Sequence, residues 1–205
     1  LLSIGVQPNS EIAAAAGIEL GIKNAIRGNV KMETSKERIY TAGDCATTSH
    51  LVSGKEVYIP MGTTANKQGK VAGENAAGGN TSFKGVLGTG IARVMEMEIS
   101  RTGLCESECQ ALGINYTSNR IKSKTAAHYC PVSGEIHLKL IVNQSNNRLI
   151  GAQIVGFAGA AMRIDMLATA ITVGATVEDL IDMDLAYSPP FSPVWDPVLV
   201  ALNQF

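Results

Sequence analysis

The sequence has few aromatic and few charged residues, and it has no long uninterrupted apolar run. Aromatic side chains make up 5% of the 205 residues and charged ones 17%, whereas apolar ones reach 45%, which excludes a disordered chain and a coiled coil. The 17 basic and 18 acidic residues nearly balance and form no basic patch, so we expect no nucleic-acid partner. The longest uncharged run, residues 149–162, is shorter than the roughly 20 residues of a transmembrane helix, so we expect no membrane partner.

The cysteines lack the spacing of a redox pair or of a zinc site. Cys105 and Cys109 are four residues apart rather than three, and His128 with Cys130 supplies too few ligands for a metal ion. We therefore predict no metal site and four reduced, structural thiols, which favours a cytoplasmic protein. Cys105 precedes a short predicted helix, where we expect it to act as a weak N-cap rather than as a nucleophile.

The sequence also lacks an initiator methionine and a signal-peptide pattern at its start. Residues 1–6 are apolar and resemble the end of a buried strand. We therefore expect the chain to be a piece of a longer protein.

Residues 1–81 are rich in glycine and alanine and differ from the rest of the chain. Beyond the strand at the start, they predict a short helix that ends near Ala16 and a short strand over 38–44. A second helix is predicted over 63–77, with Thr63 or Thr64 as its N-cap and a glycine pair as its stop.

Residues 82–205 alternate between apolar and polar side chains over several short stretches. Strands joined by local turns beside two helices predict an α+β fold, an antiparallel sheet with helices on one face. The predicted strands cover residues 93–100, 114–122, 135–142 and 149–155, and the predicted helices cover residues 106–112, 160–173 and 177–183.

The first candidate site is the pair Gly43 and Asp44, which follows the predicted strand over 38–44. Ligands of open parallel sheets bind at the carboxyl ends of strands. A glycine there allows a ligand to approach the backbone closely, and the carboxylate can accept hydrogen bonds from ligand hydroxyls. An ordinary turn remains the alternative.

The second candidate site is the segment from Ile59 to Asn66, where an extended stretch closes at Pro60 and a helix begins near Thr63. A helix N-terminus offers free N–H groups and partial positive charge, which can stabilise an anion or the electron density of a reduced flavin ring. An ordinary capped helix remains the alternative.

Together these segments resemble the last FAD-binding part of the pyridine nucleotide-disulfide oxidoreductases, and the resemblance covers nearly the whole chain. It divides the chain into a partial α/β FAD-binding segment, residues 1–81, and a dimerisation domain, residues 82–205. The branch that it resembles most contains coenzyme A-disulfide reductases, NADH oxidases and NADH peroxidases. The segments that carry the resemblance are residues 3–9, 42–46, 59–62, 65–69, 101–104, 163–165, 176–180 and 185–192.

The resemblance implies that Asp44 and the adjacent Gly43 contact FAD through its ribityl and pyrophosphate part. It places Met61, Gly62 and Thr63 at the flavin ring, with the helix start facing the pyrimidine edge of the ring.

The resemblance also implies a substrate-side set of residues. Asn66 would contact coenzyme A, while Tyr129 and Tyr187 would reach across a homodimer into the partner's active site. A phenol there can hydrogen-bond a thiolate or supply a proton, so Tyr187 is assigned an assisting catalytic role. Trp195 is assigned to substrate binding, although an aromatic anchor in the dimer interface is an alternative for it, and a strand residue at a sheet edge is one for Tyr129.

Two departures from the family pattern bear on which branch of the family the chain resembles. Glutathione-reductase-like relatives carry a histidine followed by glutamate near the C-terminus, whereas the last histidine here is His137, which favours the branch with a single redox cysteine. Some coenzyme A-disulfide reductases carry lysine at the position of Trp195. The segment around Trp195, residues 192–197, instead resembles that of certain archaeal oxidase and reductase members.

The chain lacks both glycine fingerprints and the redox cysteine that the family needs, so the resemblance implies that these lie upstream with the NAD(P)H-binding domain. The implied activity is the FAD-dependent reduction of a disulfide such as coenzyme A disulfide by NAD(P)H. An oxidase or peroxidase that reduces O₂ or H₂O₂ is one alternative, and a non-catalytic dimerisation module is the other. We expect the 205 residues alone to be inactive and to bind FAD weakly or not at all.

Overall fold

The structure is a computed structural model that describes residues 4–205, and contacts within the chain divide these residues into two compact units. The first unit ends at Val86 and the second begins at Leu87. The strand predicted over residues 1–6 lies partly outside the described residues, and residues 4–10 form no regular element. None of the helices in the described part of the chain is long and apolar enough to cross a bilayer.

The first unit contains few regular elements apart from one long helix. Its helices are α1 (Glu11–Ala15) and α2 (Gly62–Ala76), and its strands β1 (Thr48–Ser49) and β2 (Glu56–Val57) form a small antiparallel pair. The predicted strand over 38–44 is wrong, because this segment makes only an isolated bridge at Tyr40 and turns at Gly43.

Helix α2 begins one residue earlier than predicted, and its N-cap is neither threonine. Met61 is the N-cap, with extended dihedral angles of φ −145° and ψ 139°. The residue before a helix needs such an extended conformation, so the helix starts directly after this stretch. Thr63 and Thr64 therefore lie inside the first turn.

The second unit is built on an antiparallel sheet of five strands within residues 87–205. Its spatial order is β3-β4-β7-β6-β5. The predicted α+β class with an antiparallel sheet is confirmed. The strands are β3 (Gly90–Val94), β4 (Met97–Gly103), β5 (Tyr116–Lys124), β6 (Glu135–Asn143) and β7 (Leu149–Gly156).

The predicted continuous strand over 93–100 is wrong, because a tight turn at Met95 and Glu96 splits it into β3 and β4. Met95 has a φ of +53°, which residues with a side chain adopt uncommonly. Arg93 stabilises the turn by donating from Nε to the Met95 carbonyl at 2.8 Å and by pairing with Glu96 at 2.8 Å.

One face of the sheet carries the apolar core and is covered by helices. Ile136, Leu138 and Leu140 alternate along β6 and are fully buried. Helix α4 packs on β4 and β7, and helix α6, which the sequence did not predict, packs on β5 and β6. The helices of this unit are α3 (Glu106–Leu112), α4 (Ile164–Val173), α5 (Val177–Ile181) and α6 (Pro197–Leu202), and a short 3₁₀ turn at Ala161–Arg163 leads into α4.

Candidate functional site

The turn at Gly43 and Asp44 packs against helix α2, and Gly43 takes a left-handed backbone conformation there. Gly43 has a φ of +83°, and a Cβ added there would lie 3.5 Å from the Ala65 Cβ. The contact is close but not a clash, so the positive φ is the main reason for glycine at this position. The turn thereby places Asp44 beside the N-terminal half of α2.

Gln68 of helix α2 holds this turn through both ends of its side-chain amide. Its Oε1 accepts from the Gly43 N–H at 2.9 Å, and its Nε2 donates to the Thr47 carbonyl at 3.2 Å. Gln68 is fully buried, and a buried amide is stable only when its polar atoms are paired. Sequence reasoning assigned it no role, because a glutamine on a glycine-rich helix carries no pattern that predicts its partner.

The backbone of Asp44 is fixed while its side chain is free. The Tyr58 hydroxyl donates to the Asp44 carbonyl oxygen at 2.8 Å. Desolvation, followed by the charges of Asp44 and Cys45, raises the pKa of Tyr58, which keeps the hydroxyl protonated as a donor. The Asp44 carboxylate is exposed and has no hydrogen-bond partner among residues 4–205, so it is available to accept hydrogen bonds from a ligand.

The N-terminus of α2 presents backbone donors without a side-chain cap. Met61 makes no capping hydrogen bond from its side chain, so the first N–H groups of the helix lack an intrahelical partner. Gly62 and Thr63 are exposed, and a Cβ added at Gly62 would meet no atom within 4 Å. These donors sit at the positive end of a helix dipole of 15 residues. Asn66 is exposed on the following turn.

Tyr129 and Tyr187 of the second unit are brought together although they are far apart in the sequence. They are 66% and 50% exposed, so their phenols are accessible. Desolvation raises the pKa of the Tyr129 phenol, and the neighbouring Tyr187 and Cys130 raise it further. The His128 ring packs edge-on against Tyr129, with ring centroids 5.3 Å apart, and helps to orient it. At neutral pH the Tyr129 phenol can therefore donate a proton or a hydrogen bond.

Tyr129 and Tyr187 are carried by two loops that are bonded to each other. The Ala127 N–H donates to the Pro189 carbonyl at 2.9 Å. The second loop also exposes Phe191 and Trp195, which are 78% and 61% exposed. Exposed aromatic side chains of this kind are typical of interaction surfaces.

The four cysteines form no disulfide bond with one another in the structure. All four are free, and no cluster of His, Cys, Asp and Glu among residues 4–205 could hold a metal ion. Cys105 occupies the N-cap position of α3, as predicted, and its N–H donates to Glu108 at 2.7 Å. Burial, with smaller contributions from nearby acidic groups, raises the pKa of Cys109 to about 11, which suppresses its thiolate.

Comparison with known families divides the chain as the two units do. The family model described as the pyridine nucleotide-disulphide oxidoreductase dimerisation domain matches residues 91–197. A second model, pyridine nucleotide-disulphide oxidoreductase, matches residues 1–69. The chain belongs to the pyridine nucleotide-disulphide oxidoreductases.

Individual relatives in this family are archaeal enzymes that match almost the entire chain. The NAD(P)H sulfur oxidoreductase (CoA-dependent) of Pyrococcus furiosus is 46% identical over 98% of this chain and 45% of its own length. The NADH oxidase of Methanocaldococcus jannaschii is 38% identical over 100% of this chain and 45% of its own length. The chain thus spans slightly less than half the length of these curated relatives.

A solved structure confirms the fold of this family member. The NAD-dependent persulfide reductase from A. fulgidus aligns with a TM-score of 0.94 at 44% identity, over 98% of this chain and 38% of that chain. The match extends through both units.

In the structure, the site residues predicted from the sequence fall into two groups. Gly43 and Asp44 lie against α2, whose first residues follow Met61, and Asn66 lies one turn further along this helix. Tyr129, Tyr187 and Trp195 share the loop pair of the second unit. The residues that the sequence pattern did not indicate are Gln68 and Tyr58, which hold the turn at Gly43 and Asp44.

Proposed function

We propose that this chain is the FAD-contacting and dimerisation region of a flavin-dependent NAD(P)H oxidoreductase that reduces a sulfur–sulfur bond, such as that of coenzyme A disulfide. The names of the relatives support this class of substrate, since one is a CoA-dependent sulfur oxidoreductase and another a persulfide reductase. Because the chain spans less than half of the curated relatives, the activity belongs to the longer protein.

The first unit fits one side of a flavin dinucleotide. The observation that supports this most is the free Asp44 carboxylate beside the uncapped start of α2, held there by Gln68. Asp44 would accept hydrogen bonds from ribityl or ribose hydroxyls. The N–H groups of Gly62 and Thr63 would face the pyrimidine edge of the flavin, where their partial positive charge stabilises the reduced, electron-rich ring.

In the complete enzyme, FAD would carry two electrons from NAD(P)H toward a redox cysteine. The residues of this chain would orient the ring and tune its electron affinity. Gly43 allows the turn that presents Asp44, and the side chain of Met61 would contact the ring beside the helix start. The upstream domain would bind NAD(P)H.

The second unit would complete the active site of the partner subunit in a homodimer. Reduction of a disulfide yields two thiols, so a proton must reach the leaving thiolate. Tyr187 would donate this proton or a hydrogen bond, because its phenol is half exposed. It lies beside the phenol of Tyr129, which stays protonated at neutral pH. Asn66, Tyr129 and Trp195 would contact the substrate.

The competing function is that of an NADH oxidase, as in the M. jannaschii relative of that name. Such an enzyme would reduce O₂ or peroxide and would not need a tyrosine beside a leaving thiolate. The two functions therefore differ in what Tyr187 contributes.

Rapid-mixing kinetics of the complete protein separate these functions. We compare the Tyr187→Phe variant with Tyr116→Phe, a control whose hydroxyl accepts from Gln110 at 3.0 Å and which lies at the opposite end of β5 from the loop that carries Tyr129. Reduction of the flavin by NAD(P)H should be unchanged in both variants. Reoxidation by coenzyme A disulfide should slow by about tenfold in Tyr187→Phe alone, the effect of losing one hydrogen bond to the leaving thiolate while water can still supply the proton.

Two results would contradict the proposal. Equal reoxidation rates in wild-type and both variants would remove the role of Tyr187. Rapid turnover with O₂ and none with coenzyme A disulfide or a persulfide would replace the reductase by the oxidase.

A further inference from the structure

A single arginine lies at the junction of the two loops that carry Tyr129 and Tyr187. Arg163 ends the 3₁₀ turn before α4, and its side chain is 12% exposed. One guanidinium nitrogen donates to the Thr125 carbonyl at 2.9 Å, on the loop that leads to Tyr129. Arg163 thus connects the start of α4 to the backbone of the loop that carries Tyr129.

The guanidinium also binds the loop that follows Tyr187. Its Nε donates to Asp196 Oδ2 at 2.8 Å, and the Phe191 carbonyl lies 3.5 Å from a terminal nitrogen. The Asp196 side chain is 11% exposed and is itself fully bonded, since it caps α6 through the Val198 N–H at 2.8 Å. The buried Ser192 hydroxyl completes this cluster with a hydrogen bond to Asp196 at 3.1 Å.

The backbone that leads into Arg163 is held in place, because residues 159–161 are hydrogen-bonded to strand β4. Glu98 of β4 accepts from the N–H groups of Gly159 and Ala161 at 3.1 and 3.0 Å. The buried Ser100 hydroxyl donates to the Ala161 carbonyl at 3.0 Å. The sheet therefore sets the position of Arg163, and the N–H donors of its guanidinium fix both loops relative to the sheet.

We propose that Arg163, with Asp196, is a positioning residue that holds the Tyr129 and Tyr187 phenols in their mutual arrangement for the active site. This inference rests on the proposed function of the tyrosines, but the arrangement itself is a property of this unit. Arginine is required because one planar guanidinium bridges a carboxylate and two carbonyls, which a lysine ammonium cannot reach together.

The test uses Arg163→Lys and Asp196→Asn in the complete protein. Each substitution keeps one feature of the original residue. Lysine keeps the positive charge opposite Asp196, and asparagine is as good an N-cap for α6 as aspartate. Arg93→Lys is the matched control, because Arg93 forms an exposed ion pair with Glu96 at 2.8 Å in the same unit. The melting temperature of each variant reports on the global fold.

The first readout is fluorine NMR of 3-fluorotyrosine-labelled protein, which needs no catalysis. In the wild type and in Arg93→Lys, adding Tyr187→Phe should move the Tyr129 resonance, because the two phenols interact. In Arg163→Lys and Asp196→Asn, the same addition should leave that resonance in place.

The second readout is flavin reoxidation by coenzyme A disulfide. Arg163→Lys should slow it by about tenfold, and adding Tyr187→Phe should slow it by less than about twofold more, because residues that act as a unit are not additive. A merely structural arginine would give independent, multiplicative effects.

Each outcome decides the inference. A Tyr129 resonance that still responds to Tyr187→Phe in both network variants would overturn it, and so would unfolding of both variants, since the network would then act on global stability. If Tyr187→Phe alone leaves reoxidation unchanged, the proposed role of Tyr187 fails, while the NMR readout still decides whether Arg163 holds the pair.

Discussion

Replacing Gln68 by methionine tests how the FAD-facing turn is held. Methionine has nearly the same length and shape but cannot hydrogen-bond to the Gly43 N–H or the Thr47 carbonyl, which Gln68 contacts at 2.9 and 3.2 Å. The substitution therefore removes both hydrogen bonds without opening a large cavity. Lys67→Met is the control, because Lys67 is exposed on the same helix.

The magnitude follows from the burial of the two backbone groups. Thr47 is 1% exposed, so its carbonyl loses its partner without access to water, at a cost of about 1–3 kcal/mol. Gly43 is half-buried, so water can partly replace the lost bond, and about 0.5–1 kcal/mol is expected. The first unit should lose about 1.5–4 kcal/mol of unfolding free energy, and Lys67→Met should stay within about 0.5 kcal/mol.

Urea denaturation gives this difference, and hydrogen exchange locates it. The Gly43 amide should exchange at least tenfold faster in Gln68→Met than in the control, since its acceptor is gone. FAD affinity of the complete protein should fall as the turn loosens. An unchanged Gly43 exchange rate together with wild-type stability would refute the assignment of Gln68 as the residue that fixes this turn.

Three further predictions concern the second unit. Cys109, with a pKa of about 11 and no exposed surface, should resist iodoacetamide at pH 8 in the native protein, while the partly exposed Cys105 is modified; equal labelling seen by mass spectrometry would contradict this. Lys139 and then Ser118 lower the pKa of Glu106 below its ordinary 4.5, so the stability that Glu106 contributes, about 0.5 kcal/mol, is present above pH 4.5 and is lost as the pH falls through its folded value. Urea titrations should show that Glu106→Gln removes this part of the acid dependence, and an unchanged dependence would contradict it. Leu138→Ala, at a fully buried position of β6, should cost about 2–5 kcal/mol in the same titration, and a loss below about 1 kcal/mol would contradict its place in the core.

The strands of the sheet could be predicted from the sequence because their alternation is local. Leu138 and its neighbours of β6 repeat every second residue, and the structure has this strand within one residue of the prediction at each end. The β3–β4 turn was missed because alternation continues through Met95, which is not a usual turn residue. Helix α6 carried a readable signal, Asp196 as N-cap followed by Pro197, that the prediction did not use.

The site residues divide along the same line. The Gly43–Asp44 turn and the start of α2 could be predicted because their chemistry lies in short contiguous segments. The bonds that hold them could not, since Gln68 reaches back 25 residues to Gly43 and Arg163 reaches forward 33 residues to Asp196. Such pairings arise from tertiary packing, and no local pattern of side chains encodes them.

We propose an arrangement in which each subunit supplies FAD contacts to its own site and Tyr187 to its partner's site. It is tested most directly by mixing two defective chains of the complete protein, one with Asp44→Ala to weaken FAD binding and one with Tyr187→Phe. Glu37→Ala, at an exposed position of the first unit, replaces Asp44→Ala in the control mixture.

Each defective homodimer should reduce coenzyme A disulfide slowly. Random mixing makes half of the dimers hybrids, and one of the two sites in each hybrid then has both an intact FAD segment and an intact Tyr187 from across the interface. If Tyr187 acts across the interface, the mixture should recover about a quarter of the wild-type specific activity. Activity that stays at the average of the two homodimers would contradict it, because Tyr187 would then act in its own subunit or not at all.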